Sequence, residues 1–156
     1  MSARSRTNQL LYQAELLLAA PLLSASAADE HHAARRMACE EGAVAMLELA
    51  LASLIAEVCE TCRWTGIPWR EVLEQPPRAV AEIERLRMLL SENDSWLARL
   101  LASIDKLHGS DGVARREQQD TVIVTTQQVG LGDEVRWYID EFRRLLPELR
   151  ETGVEW

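Results

Sequence analysis

The side chains able to do chemistry are few and scattered. Cys59-Glu60-Thr61-Cys62 is a C-x-x-C pair. Redox use of such a pair needs a βαβ setting, and zinc needs two further ligands. The sequence around it offers neither, and in the last turns of a helix cysteine packs as a small hydrophobe. Two Asp-x-x-His pairs follow, Asp29 with His32 and Asp105 with His108. The i, i+3 spacing puts both members on one helix face. With Glu15 and Glu82 they echo the carboxylate-and-histidine metal site of ferritin-like bundles. That site, however, uses Glu and lies mid-bundle. Here the pairs fall at helix ends, where Asp suits the start and His the finish of the dipole. A metal-binding bundle or an enzyme built on Glu15, His32, Glu82 and His108 is therefore the alternative reading. There is no Gly-rich phosphate loop, nucleophile elbow or His-Glu-x-x-His.

The elements that would position these groups are helical. Ala27 to Thr65 has no Pro and a single Gly, Gly42. Ser26 to Asp29 reads as a capping box, and Gly66 with Pro68 as the stop. That gives a helix of roughly 38 residues, ~57 Å at 1.5 Å per residue. Val44, Leu47, Leu51, Leu54 and Val58 form one apolar stripe. Ala45, Leu49, Ala52 and Ala56 form a second on the other side, so both sides are expected to be buried. A membrane span is disfavoured, because Glu48 interrupts the run at a cost of ~2.5–3.5 kcal/mol.

Shorter helices should sheathe this spine. Residues 1–6 read as loose, with Thr7 or Asn8 capping a first helix that ends between Ala20 and Ser24. Leu10, Leu11, Ala14, Leu17 and Leu18 form its inner face, packed antiparallel on the spine. Trp64 and Trp69 should cover the bundle end, with a short turn of helix over Trp69 to Glu74. A helix from Pro77 to Leu90 buries Val80, Ile83, Leu86 and Leu90. A capping-box-like turn at Ser91 to Asp94 precedes the next helix, which runs to His108 and buries Trp96, Leu97, Leu100, Leu101, Ile104 and Leu107. Residues 109–132 read as a polar loop around Thr121 to Thr126, a β-branched run that favours an extended strand. The final helix starts near Asp133 and buries Val135, Tyr138, Ile139, Phe142, Leu145, Leu146 and Leu149. Pro147 should kink it or end its first segment. The expected fold is all-α: one domain over residues 1–156, about five helices around one very long central helix, with one short extended segment.

Composition narrows the function classes. A chain of 156 residues with a net charge of −8 favours solubility and disfavours binding to nucleic acid or anionic membranes. The cysteines Cys39, Cys59 and Cys62 are odd in number and lack framework spacing, which suits the reducing cytoplasm. Arg4, Arg6, Leu16 to Leu23 and Ser24 to Ala27 imitate a secretory signal. Gln13, Glu15 and Pro21 interrupt it, so a retained amphipathic helix is preferred.

Arg6-Thr7-Asn8-Gln9 with Tyr12, the long Ala/Leu helix, and the ending Leu149-Arg150-Glu151 with Glu155-Trp156 resemble a family of small bacterial proteins without an assigned activity. The resemblance implies a bacterial, soluble helical protein and no particular reaction. Arg6, Asn8 and Gln9 match its opening motif, and capping and anchoring the first helix is their expected role. The function expected is thus a non-enzymatic protein-interaction or regulatory bundle, with no cofactor, no nucleic acid and no membrane. Its partner would be a second copy or another protein. Val122, Ile123, Val124 and Trp156 are the candidate interface, since an isolated strand needs a partner for its backbone groups.

Overall fold

The structure is a computed structural model that describes residues 2–23, 31–114 and 129–152. It is all-α. Among the described residues there are six helices and no strand: α1 (Ala3–Leu23), α2 (His32–Cys62), α3 (Trp69–Glu74), α4 (Ala81–Ser91), α5 (Trp96–Leu107) and α6 (Leu131–Thr152). All six contribute side chains to one hydrophobic core. The strand expected at Thr121 to Thr126, the cap at Ser26 and the candidate interface Val122, Ile123, Val124 and Trp156 lie outside the described residues.

Cross-helix contacts fix the directions. Thr7 meets Ser53 and Glu57, while Leu17 lies against Gly42, so α1 runs antiparallel to α2. Arg143 reaches Glu15 and Arg150 reaches Asn8, so α6 is antiparallel to α1 and parallel to α2. Arg99 pairs with Glu134 and Ser103 with Tyr138, which sets α5 parallel to α6. Arg85 of α4 pairs with Glu148 of α6. The most extensive contact is α1 on α2. Gly42 permits it: a Cβ there would lie 3.3 Å from Leu17 Cδ1, tighter than an ordinary contact. The spine is unbroken at this glycine.

The periodic faces form the core. Val44, Leu47, Leu51, Leu54 and Val58 are buried, as are Leu10, Leu11, Ala14 and Leu18 facing them. Ile83 and Leu86, then Trp96, Leu97, Leu100 and Ile104, then the seven named residues of α6 follow the same rule. Leu17, Val80, Leu90, Leu101 and Leu107 pack at its margin. Trp96 stacks at a tilt on Phe142, 5.4 Å between centroids. Trp64 and Trp69 are half-buried against the core, and the Arg70 guanidinium lies 4.8 Å from the Trp69 ring centroid.

Several expectations need correcting. The first helix begins at Ala3, not at Thr7: Ser2 Oγ accepts from Ser5 N at 3.2 Å and caps it. The spine is a 31-residue helix whose left-handed closing residue is Arg63 (φ 58°), ahead of Gly66. There Trp64 N–H donates to Cys59 O at 2.9 Å, closing the last turn. Residues 77–80 are not helical, and α4 begins only at Ala81. The cap of α5 is Ser95, whose hydroxyl accepts from Ala98 N and donates to Leu89 O, rather than Ser91. The final helix starts at Leu131 and runs through Pro147 to Thr152. Leu145, Leu146 and Leu149 stay buried on both sides of the proline and hold it in line.

The second stripe of α2 also departs from expectation. Leu49 is 46% exposed. Ala38 and Ala56 are exposed, while Ala45 and Ala52 are half-covered. Among the described residues this stripe therefore forms part of the outer surface.

Candidate functional site

Where the ends of α1, α2 and α6 converge, a polar cluster interrupts the apolar interior. Ser53 and Glu57 are one turn apart on α2, so they share a face, and that face meets the start of α1. The Thr7 hydroxyl, fully buried, lies 2.7 Å from Glu57 Oε1, 3.0 Å from Ser53 Oγ and 3.1 Å from the Ala3 carbonyl. A hydroxyl has one proton to give, and the carboxylate is the nearest and strongest acceptor. Ser53 donates to the Ala3 carbonyl at 2.9 Å. From α6, Arg150 grips Glu57 with two nitrogens, Nε to Oε2 at 3.1 Å and Nη2 to Oε1 at 3.0 Å. Its Nη1 donates to Asn8 Oδ1 at 3.2 Å, and Nη2 also lies 3.5 Å from the Arg4 carbonyl. Glu57 and Arg150 side chains are only 14% and 16% exposed. Partial burial requires the fork-to-fork pairing, since either charge alone would be poorly solvated.

The cluster ties chain segments together. Among the described residues every buried side-chain nitrogen and oxygen has a partner. Each donor here is spent on a neighbouring helix, which suits a fastener better than a reaction centre.

The opposite end of the spine carries two more carboxylates. Glu41 Oε1 accepts from the backbone N–H groups of Val113 and Ala114 at 3.0 and 3.2 Å. Gly112 precedes them with φ +69°, and a Cβ there would collide with the Glu41 carboxylate. Val113 and Ala114, inside the stretch expected to be a loop, are buried and pinned there. Glu40, nearly buried, receives the Gly132 N–H in the first turn of α6. An anion suits that end of the dipole. Burial pushes the Glu40 carboxyl above its ordinary pKa, and the Arg36 and Arg136 charges partly oppose that. Arg136 bonds Asp133 at 2.8 Å and reaches the Leu18 carbonyl at 3.4 Å.

The metal candidates are dispersed by this architecture. Glu15 forms a two-point pair with Arg143, at 3.2 and 2.7 Å, which lowers the pKa of its carboxyl. His108 Nε2 lies 2.7 Å from Glu48 Oε2, and Asp105 pairs with Arg70 at 2.9 Å. Glu82 sits in the first turn of α4 and His32 at the first residue of α2; Asp29 lies outside the described residues. Among the described residues no three His, Cys, Asp or Glu side chains converge on a possible ion position. The three thiols are free and half-buried. Burial, and then Cys62, raise the Cys59 pKa, which opposes the thiolate that redox chemistry requires.

Of the opening-motif residues, Asn8 joins the cluster, whereas Arg6 donates to Gln9 at 2.9 Å on the exposed side of α1. None of the three caps the helix. Thr7, Ser53, Glu57 and Arg150 escaped the reading by spacing. The available signal was a serine and a glutamate one turn apart in an otherwise apolar stretch of α2.

The chain belongs to a family of unknown function (DUF6586), whose model matches residues 1–156. No curated protein and no solved structure matches it.

Proposed function

We propose, with membership of that family as the premise, that this chain acts by contact: a non-enzymatic cytoplasmic helical bundle that associates with itself. The observation carrying this reading is the apolar surface that α1 and α2 leave outside the core. α2 is long and apolar enough to cross a membrane by length and composition, and on its outer side Leu49 and Ala56 stay exposed. Tyr12 and Leu16 add exposed apolar surface on α1, at 56% and 49%. Apolar surface of this kind favours a protein partner.

A bilayer suits α2 less well. Glu40, Glu48 and Glu57 all lie on this helix and make contacts with other parts of the chain. Insertion would sever those contacts and transfer the charges into hydrocarbon. Nucleic acid is disfavoured by the net charge of −8.

Size-exclusion chromatography with light scattering tests the reading on the full chain and on one lacking residues 119–128. A dimer or larger species is expected from the full chain. Loss of association in the shortened chain would assign the interface to the 121–126 segment. A monomer at every concentration, with no protein recovered by affinity capture, would overturn the proposal.

A further inference from the structure

The three thiols are not equivalent. Cys59 and Cys62 sit in the last turn of α2, whereas Cys39 lies about 30 Å back along the same helix at 1.5 Å per residue. The i, i+3 spacing puts the pair on one helix face. Both are free, and both pack against the core while keeping part of their surface open. Cys62 is the last helical residue, and the exposed Arg63 follows it in the left-handed conformation. The two sulfurs feel one another, since Cys62 adds to the burial that raises the Cys59 pKa.

We infer that Cys59 and Cys62 form a two-coordinate site for a soft monovalent cation of the copper(I) class, bound as a bis-thiolate. Nothing in this depends on the self-association proposed above.

Spacing selects a metal over a disulfide. Residues three apart on a helix have Cβ atoms ~5–6 Å apart, whereas a disulfide needs ~3.5–4.5 Å. Closing one would distort the turn that Trp64 N–H completes on the Cys59 carbonyl. An ion between the sulfurs adds two bonds of roughly 2.3 Å, the length of a zinc–thiolate bond, and spans the gap with the backbone in place. Coordination number then selects the ion. Structural zinc takes four ligands, and among the described residues no third His, Cys, Asp or Glu joins the pair. Thiolates suit soft copper(I), which two of them satisfy.

Binding forms two metal–sulfur bonds and releases both thiol protons to solvent. It leaves one net negative charge on the complex, next in sequence to Arg63, and transfers no electron. A thiol held protonated attacks disulfides and peroxides poorly, which keeps the pair reduced. A coordinating metal displaces that proton outright.

The test titrates the full chain, reduced and stripped of metal, with copper(I) under anaerobic conditions against the chelator bathocuproine disulfonate. One equivalent per chain is expected. X-ray absorption of the wild-type complex should show two sulfur neighbours and no nitrogen or oxygen, a reading that needs no variant to fold. Cys59→Ser and Cys62→Ser should each lower the affinity on the order of a hundredfold or more, because even outer-shell partners are worth ~10–100-fold. Cys39→Ser should bind as the wild type does, and equimolar zinc should not compete.

Failure to take copper(I) from the chelator, or binding retained in Cys59→Ser/Cys62→Ser, would overturn the inference. Half an equivalent, with a dimer formed on loading, would mean that two copies share the ion and would overturn a site within one chain. A Cys59–Cys62 disulfide that oxidised glutathione closes with helical circular dichroism unchanged would remove the spacing argument and give the pair to redox chemistry.

Discussion

The two ends of the spine hold their neighbours with the same residue type by different physics. At one end Glu57 is matched by a full opposite charge, Arg150, and by the Thr7 hydroxyl. At the other, Glu41 is matched by the backbone N–H groups of Val113 and Ala114, and Glu40 by the nearby Arg36 and Arg136 charges and the Gly132 N–H, without a direct guanidinium fork. A guanidinium fork supplies charge and two directed bonds at once. Backbone donors supply direction and dipole but only partial charge. The first arrangement should therefore fail more severely when one partner is removed. The second should respond more to pH, because burial of Glu40 is incompletely offset.

The largest expected effect follows from Arg150→Met. It leaves Glu57 mostly buried with no cation beside it and frees Asn8 from α6. Urea unfolding should show a loss of about 2–4 kcal/mol, toward the lower part of the range for broken buried pairs because both side chains retain some water contact. A double-mutant cycle with Glu57→Gln should give a coupling of about 1–3 kcal/mol. Additive effects would show that the pair is not a unit.

That prediction was only partly accessible from the sequence. Helix faces were legible because 3–4 spacing forces apolar residues onto one side: Leu47, Leu51 and Leu54 declare themselves, as do Tyr138, Phe142 and Leu145. Helix ends were less so. Ser91 and Ser95 both precede helical stretches with suitable followers, and only the geometry of Leu89 O and Ala98 N selects Ser95. The cluster was illegible by spacing because Glu57 and Arg150 are 93 residues apart. The resemblance had nevertheless marked both the opening motif and the Leu149-Arg150-Glu151 ending, and these two ends meet at Glu57. The exposed stripe of α2 was misjudged for another reason. Alanines at helical spacing satisfy a core and a surface seam equally well, and the number of surrounding helices decides between them.

Glu41→Ala tests the weaker end. It leaves the Val113 and Ala114 N–H groups without their acceptor, and both residues are buried. The expected loss is about 1–3 kcal/mol, the range for unsatisfied buried donors. Faster amide exchange should be confined to residues 112–114 and their neighbours. A loss as large as that of Arg150→Met would erase the proposed difference between the ends. Thr7→Val should cost less, about 1 kcal/mol, since it removes one hydroxyl and keeps the packing volume. Circular dichroism should show α1 still formed, because Ser2 rather than Thr7 caps it.

The smallest effect is a pH dependence whose sign separates the two kinds of carboxylate. Glu40 has a raised pKa in the folded chain. The folded state therefore holds this proton more tightly than the unfolded state does. Its contribution falls as pH rises from the ordinary glutamate range through the raised folded value, so Glu40→Gln should be neutral to stabilising above that window. Glu15 has a lowered pKa, chiefly through the hydrogen bond from Arg143. Its contribution is present above the ordinary glutamate range and is lost as pH falls through the lowered value, so Glu15→Gln should destabilise at neutral pH and become silent in acid. The Glu15–Arg143 pair is about half exposed, and solvent screening keeps its effect small. Urea midpoints of the two variants and the wild type, followed from neutral to acidic pH, should move in opposite directions relative to one another. Parallel shifts would mean that burial does not control Glu40.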